Sequence, residues 1–340
     1  MKSFEKSRNF NIQKKIMVKL RSKFDVLPIF IKKLTLIYWK IINLLFFGKI
    51  KIDSKIDKSL VSFVTKDLRN DGISIFKSNE FPDRNVQDLI SNISIEGDLR
   101  IKNINVDIDE ESRSISNQIA GDKSLKKPFR YNLHGEIGFN YNDVTVDFKD
   151  PLIANLVKLG LNNNFLAIAQ DYLGCKPYLG RFYYWYDYKI NQKEEISTQL
   201  FHQDGDDIKF FKIFVYLNDV DEKNGAHSYI PRTQEFSSNP LHINIEKKET
   251  KFNSFKGFSE EDIHKAYPED VYINLIGNKG HIIFEDTSGY HRGKMIENGS
   301  RKMLVFEYFS PFSRFAPEYN IKNADDSINS LNLEVMGVYN

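Results

Sequence analysis

Residues 201–207 read FHQDGDD, and His202 and Asp204 within this stretch decide how the whole chain is read. Residues i and i+2 of an extended segment project to the same side, so an imidazole and a carboxylate at this spacing can face one cavity. Nothing nearby supplies a third donor. It has to return from a distant strand, and His291, 89 residues on, ends the β-like stretch GHIIFEDTSGYH. Two imidazoles and one carboxylate are the facial donor set of non-heme Fe(II) oxygenases, which leaves coordination positions open for a cosubstrate and O2. Ligands so far apart in sequence predict a mainly β fold with flanking helices. Its core is expected to be a double-stranded β-helix, a cupin-like jelly roll in which distant strands line one mouth.

Ten residues beyond His291, Arg301 opens RKMLVFEYFS, whose branched and aromatic content reads as a buried strand. A guanidinium there is costly unless paired, and its planar fork suits the far carboxylate of a dicarboxylate cosubstrate. An internal ion pair with Glu307 or Asp286 is the alternative. YLGRFYYWYDYKI and KFFKIFVYLNDV are further strand candidates, the second followed by the turn DEKNGA, and together they predict a barrel over about residues 176–312.

Upstream, SLVSFVTKDLRNDGISIFKS reads as an amphipathic helix, a turn at Asn70, Asp71 and Gly72, and a short strand. PLIANLVKLGLNNNFLAIAQDYLG supplies two helices, with Pro151 suited to a first turn and Gly174 to a C-terminal cap. Residues 92–124 are polar without clear period and read as a surface insertion; residues 233–280 read as a long loop between strands.

The single cysteine, Cys175, excludes an internal disulfide and thiolate clusters, and fits a reducing cytoplasm. It sits in LGCKPY, a turn between helix and strand, and is expected to be structural. No GxxxxGK[ST], HExxH or GxSxG pattern is present, which removes support for phosphate-loop, zincin and serine-hydrolase readings.

Net charge of +2 conceals an asymmetry: residues 1–58 carry 15 Lys or Arg against 4 Asp or Glu, and the rest carries 33 against 42. Residues 1–57 are therefore read as a basic, helical extension, 58–315 as the main domain and 316–340 as a C-terminal tail. The extension contains PIFIKKLTLIYWKIINLLFFG, broken by Lys32, Lys33 and Lys40 and so too interrupted for a spanning helix of ~20 apolar residues. It also lies too far in, without a small-residue cleavage site, for a secretory signal. Residues 28–47 are left with packing on the body or a second copy, or peripheral contact with an anionic membrane through Trp39, Phe46 and Phe47. Nucleic-acid binding is not expected, because no recognition motif accompanies the basic residues.

The segment from about Leu60 to Phe312 resembles the phytanoyl-CoA dioxygenase family of Fe(II)/2-oxoglutarate-dependent oxygenases. The resemblance rests on FHQDGDD, on FVYLNDVDEKNGAHSYIP, and on GHIIFEDTSGYHRG followed by Arg301. It implies that His202, Asp204 and His291 bind iron and are catalytic, and that Arg301 binds the C5 carboxylate of 2-oxoglutarate. It further implies an O2-dependent reaction on a small molecule with release of succinate and CO2, hydroxylation being expected; a complete triad argues against halogenation and leaves desaturation, epimerisation and ring formation open. Two features depart from the family pattern. Arg232, Thr233 and Gln234 replace a Gly-Ser-His turn, and Phe214 occupies a strand position that often hydrogen-bonds the cosubstrate.

Tyr183, Tyr184, Tyr186, Asp206, Asp207, Lys209 and Arg292 are candidates for the surroundings of the metal, with half expected to face away because strand residues alternate. His227 and His134 are candidate substrate contacts, His281 is a weaker iron candidate than His291, and His242 and His264 are expected to face solvent. The competing class is a non-catalytic jelly-roll binding or assembly protein that keeps a metal-shaped pocket.

Overall fold

A computed structural model describes residues 2–24, 27–51, 56–103, 129–132, 136–140, 145–189, 194–195, 197–241, 257–267, 271–313, 319–324 and 335–336. His134, His242 and residues 104–124 of the expected insertion lie outside them.

Two helices open the chain, α1 (Lys2–Phe24) and α2 (Ile29–Phe47). The expected helix-turn-strand follows as α3 (Lys58–Asn70) and β1 (Ile73–Phe76), with the Asp57 carboxylate capping α3 by accepting from the Ser59 and Leu60 amides. Helix α4 (Arg84–Asn103) gives residues 92–103 of the expected surface insertion a helical period that the sequence did not show. Val86, Ile90 and Ile93 recur on one side and are buried, a stripe that the surrounding charges mask in the sequence.

Strands β2 (Phe129–Asn132), β3 (Glu136–Asn140) and β4 (Thr145–Asp147) precede α5 (Pro151–Gly160) and α6 (Asn163–Leu173). Pro151 stands in the first turn of α5, and Gly174 ends α6 in the left-handed conformation, both as expected. Next come β5 (Tyr178–Tyr188), β6 (Phe211–Tyr216) and β7 (His227–Tyr229). The expected loop over 233–280 is only partly a loop, since it contains α7 (Glu260–Ala266) and β8 (Ile273–Leu275). GHIIFEDTSGYH is not one strand. It splits into β9 (Ile282–Glu285) and β10 (His291–Gly293), which belong to different sheets, before β11 (Ser300–Phe309) and β12 (Asn320–Lys322).

Seven strands form a sheet in the order β1-β9-β6-β11-β5-β3-β2, every neighbouring pair antiparallel, and β10-β7-β8 form a second antiparallel sheet. Two-residue periodicity divides the large sheet. Phe182, Tyr184, Ile213, Val215, Phe284, Leu304, Phe306 and Tyr308 join the core formed with the helices, and the Tyr308 hydroxyl donates to Gly160 O of α5 at 2.6 Å. Tyr183, Phe214, Tyr216, Ile283, Met303 and Val305 point the other way and pack with Tyr229 and Leu275 of the small sheet. The space between the two sheets is where the sequence-distant histidines meet.

Helix α2 is fastened to this body. Trp39 is fully buried, and its indole N–H donates to Asp207 at 3.3 Å. Phe46 and Phe47 both pack edge-on against Phe312, and Ile50 N donates to Gln170 Oε1 at 2.6 Å. The three aromatics expected at a membrane interface are therefore directed inward. No single described helix is long and apolar enough to cross a membrane.

Candidate metal centre

His202 and His291 form an isolated antiparallel bridge, each backbone N–H donating to the other's carbonyl at 2.9 Å. Asp204 is held two residues on, its N–H bonded to Thr287 O at 2.8 Å. The segment is thus bridged rather than a full strand, yet it keeps the i, i+2 projection that the sequence suggested. His202 Nε2 stands 3.8 Å from Asp204 Oδ1 and His291 Nε2 stands 3.5 Å from Asp204 Oδ2. One donor atom from each of the three residues lies within 4.8 Å of the others.

Each ring is oriented from behind. Nδ1 of His202 lies 2.8 Å from Leu200 O, and Nδ1 of His291 lies 3.0 Å from Gly289 O. A carbonyl can only accept, so both protons sit on Nδ1 and both Nε2 lone pairs face the shared space. Burial, with the neighbouring His291, pushes the His202 imidazole down to about 3, which keeps it a neutral donor. Burial acts against His291 as well, but the Asp204 carboxylate overrides it and raises this ring. Asp204 is half-buried, and although desolvation acts to raise it, Lys212 and the two imidazoles hold it well below the ordinary carboxylate range. Two imidazole nitrogens and one carboxylate, pre-aimed at one point, fit a first-row divalent ion bound at ~2.0–2.2 Å after a small contraction.

Behind Asp204 lies a charged cluster that the sequence reading missed. Lys212 Nζ reaches Asp204 Oδ2 at 2.8 Å, Glu307 Oε1 at 2.9 Å and Asp206 Oδ2 at 3.4 Å. Arg181 pairs with Glu307 and, at 3.0 Å, with Asp206. A signal was present: Arg181, Lys212 and Glu307 interrupt aromatic strands at the same inward parity as Tyr183, Phe214 and Val305.

Arg301 is buried at the start of β11, and its partner is neither Glu307 nor Asp286. Asp187 stands opposite it on β5, and Oδ2 accepts from Arg301 Nη2 at 2.7 Å and Nε at 2.9 Å, while Nη1 donates to Gly225 O. Glu307 is taken by Arg181 and Lys212, and Asp286 accepts from the Tyr172 hydroxyl. The Arg301 guanidinium lies against Gly293, where an added Cβ would come 2.8 Å from Nη2. Gly293 is two strand residues on from His291, so the Arg301 guanidinium packs against the same short strand that carries the third donor.

His227 lies between them. It faces Gly293 across β7 and β10, its ring centroid is 5.6 Å from that of His291, and Nε2 contacts the fully buried Glu285 at 3.0 Å. Burial lowers His227 despite Glu285. Phe214 packs on the His227 ring at 5.0 Å. Of the other candidates, Tyr183 faces inward, whereas the Tyr184 hydroxyl bonds Asp98 and Tyr186 stacks on Tyr188 in the helix-side core. Asp206 joins the charged cluster. Asp207 turns away to Trp39 and to the amide and hydroxyl of Ser310 at 2.9 and 2.7 Å. Lys209 lies over the Tyr172 ring at 3.9 Å, and Arg292 is buried between Glu195 and Glu260. His281 packs on Tyr216 outside the donor set, His264 is exposed on α7, and Cys175 is buried, which pushes its thiol well up.

No family model matches the chain, and none of the curated proteins matches it. Among solved structures, the chain overlaps EctD from S. alaskensis with bound Fe at 14% identity, with 82% of this chain and 87% of that one covered and a TM-score of 0.45. The epimerase SnoN in complex with Fe3+ and alpha ketoglutarate gives 12% identity, 75% and 85% coverage, and a TM-score of 0.43. HygX from Streptomyces hygroscopicus with nickel and 2-oxoglutarate bound gives 14%, 74% and 87%, and 0.41. Likenesses this loose leave the functional reading to the side chains themselves.

Proposed function

We propose that the chain is an Fe(II)- and 2-oxoglutarate-dependent dioxygenase of the phytanoyl-CoA dioxygenase type, built on a jelly-roll core and hydroxylating a small molecule. The observation that carries the reading is the convergence of His202 Nε2, His291 Nε2 and the Asp204 carboxylate on one point, both rings being aimed by carbonyls behind them. These three residues would hold the metal. Bound together with 2-oxoglutarate and O2, iron would supply the oxidising power that converts a substrate C–H to C–OH as succinate and CO2 leave.

The remaining work falls to this chain's residues. Arg301 would take the distal carboxylate of 2-oxoglutarate, sharing its guanidinium with Asp187. Phe214, Tyr183 and Val305 line the inner wall between the charged ends and would exclude water from it. Lys212 pairs with the Asp204 carboxylate and so fixes its place, while its charge competes with the metal for that carboxylate.

One observation favours a second reading, a metal-holding binding protein without turnover: Arg301 is already neutralised by a carboxylate of its own chain. Turnover separates the two. Incubation of iron-loaded protein with 2-oxoglutarate and O2 is expected to release succinate slowly even without a prime substrate, and Asp204→Ala is expected to abolish that release while leaving the fold intact. Succinate at the level of the variant, from protein that binds iron, would refute the enzyme reading.

A further inference from the structure

Helix α2 is apolar on both sides. Thr35, Trp39 and Asn43 face the body, and at 100° per residue Phe30 stands opposite Trp39. Around Phe30 lie Ile29, Leu34, Ile37, Ile41, Leu44 and Leu45, each between 41% and 75% exposed, with Lys33 among them. Together they present on the order of 800 Å² of apolar surface, above the few hundred Å² that a monomeric protein ordinarily leaves in one patch.

Exposed basic residues flank the patch in the chain. On the neighbouring α1, Ile12 and Ile16 are exposed on the same face as exposed Lys15, Lys19 and Lys23, and exposed Lys49 and Lys51 follow α2. Residues 1–58 carry 15 basic against 4 acidic residues, and the remainder of the chain is net acidic. We infer that this face docks in the plane of a bilayer containing anionic lipid, with the apolar stripe in the acyl boundary and the lysines at the headgroups.

Charge selects this occupant over a second copy of the chain. Two such faces brought together would oppose two strongly basic arms and desolvate Lys33 against apolar side chains, whereas at a bilayer Lys33 can extend to the headgroup layer. α2 is held to lie flat rather than insert, because its opposite side is committed to Trp39, Asn43 and the Phe46–Phe312 contact. Docking would also bring the surface close to the ligand loop: an added Cβ at Gly205, next to Asp204, would lie 2.5 Å from Arg21 Nη2 of α1.

The test is flotation of the full chain with vesicles of phosphatidylcholine alone or of phosphatidylcholine with phosphatidylglycerol. It needs neither iron nor cosubstrate, so its outcome is independent of the enzyme reading. Binding is expected to the anionic vesicles, to weaken with salt, and to fall at least about tenfold in Phe30→Ser/Ile37→Ser/Ile41→Ser and in Lys15→Glu/Lys19→Glu/Lys23→Glu. Each variant is checked for an unchanged thermal melt. Wild-type protein that stays off anionic vesicles would overturn the proposal. So would unchanged binding by both variants, or a wild-type dimer in light scattering that the apolar variant converts to monomer.

Discussion

Lys212→Met tests the electrostatics of the metal centre directly. In the wild type Lys212 holds three carboxylates, Asp204 at 2.8 Å, Glu307 at 2.9 Å and Asp206 at 3.4 Å, and its side chain is only 12% exposed. Methionine keeps much of the volume and removes the charge. Arg181 then remains against Glu307 and Asp206 while Asp204 is left to the two imidazoles, and breaking one side of a largely buried ion cluster costs ~3–5 kcal/mol. The same change removes a positive charge beside the carboxylate that would bind the metal. A unit charge and a divalent ion ~4–5 Å apart repel by about 2 kcal/mol even at a water-like dielectric constant. Mn(II), an air-stable probe, is therefore expected to bind the variant roughly 30-fold more tightly, and metal is expected to restore much of the lost stability. Isothermal titration gives the affinity and thermal melts with and without metal give the rescue. Weaker Mn(II) binding by a folded variant would refute the argument and make Lys212 a positioning residue for Asp204.

Three further outcomes follow from the same contacts. Asp187→Asn removes the charge that competes for Arg301 and leaves an acceptor, so 2-oxoglutarate is expected to bind the folded, metal-loaded variant about tenfold more tightly; unchanged affinity would remove Arg301 from the anchor role. Trp39→Ala should cost ~3–5 kcal/mol in urea unfolding, whereas Trp39→Phe, which keeps an aromatic ring but loses the bond to Asp207, should cost ~1–2 kcal/mol; a Trp39→Phe as stable as wild type would show that the N–H contributes nothing, and equal costs for the two would show that ring burial contributes nothing. Burial pushes Lys209 down to about 7 from 10.5, so the cost of its buried ammonium is full below pH 7 and fades as pH rises toward 10.5. Lys209→Met is therefore expected to be stabilised relative to wild type at pH 6.5 by up to ~4 kcal/mol, with the advantage shrinking by pH 9.5; a pH-independent difference in melts would contradict this.

The donor set was legible because its signal is local: HxD fixes two donors by strand parity, and a histidine at the end of a second β-rich stretch is the natural third. Arg301 stood out as a charge opening an apolar strand. Its partner was not legible, since the pairing with Asp187 depends on the register between β5 and β11, which no local pattern encodes. Lys212 and Glu307 were hidden differently. A lysine in KFFKIFVY reads as a solvated residue until inward parity is assigned to the whole strand. Helix α4 was obscured by its charges, although Val86, Ile90 and Ile93 keep helical spacing. In α2 the apolar residues surround the axis, so the sequence could not say whether the side bearing Trp39 or the side bearing Phe30 would be covered. Asp207, an acidic residue in the ligand loop, supplies the buried acceptor that draws Trp39 inward.

The most direct test of the central claim is anaerobic titration of the purified chain with Fe(II) and 2-oxoglutarate, following the weak visible charge-transfer absorption of their chelate, in wild type and Arg301→Ala. A band that appears in the wild type and needs far more 2-oxoglutarate in the variant is the predicted result. No band from folded, iron-loaded wild-type protein would contradict the account.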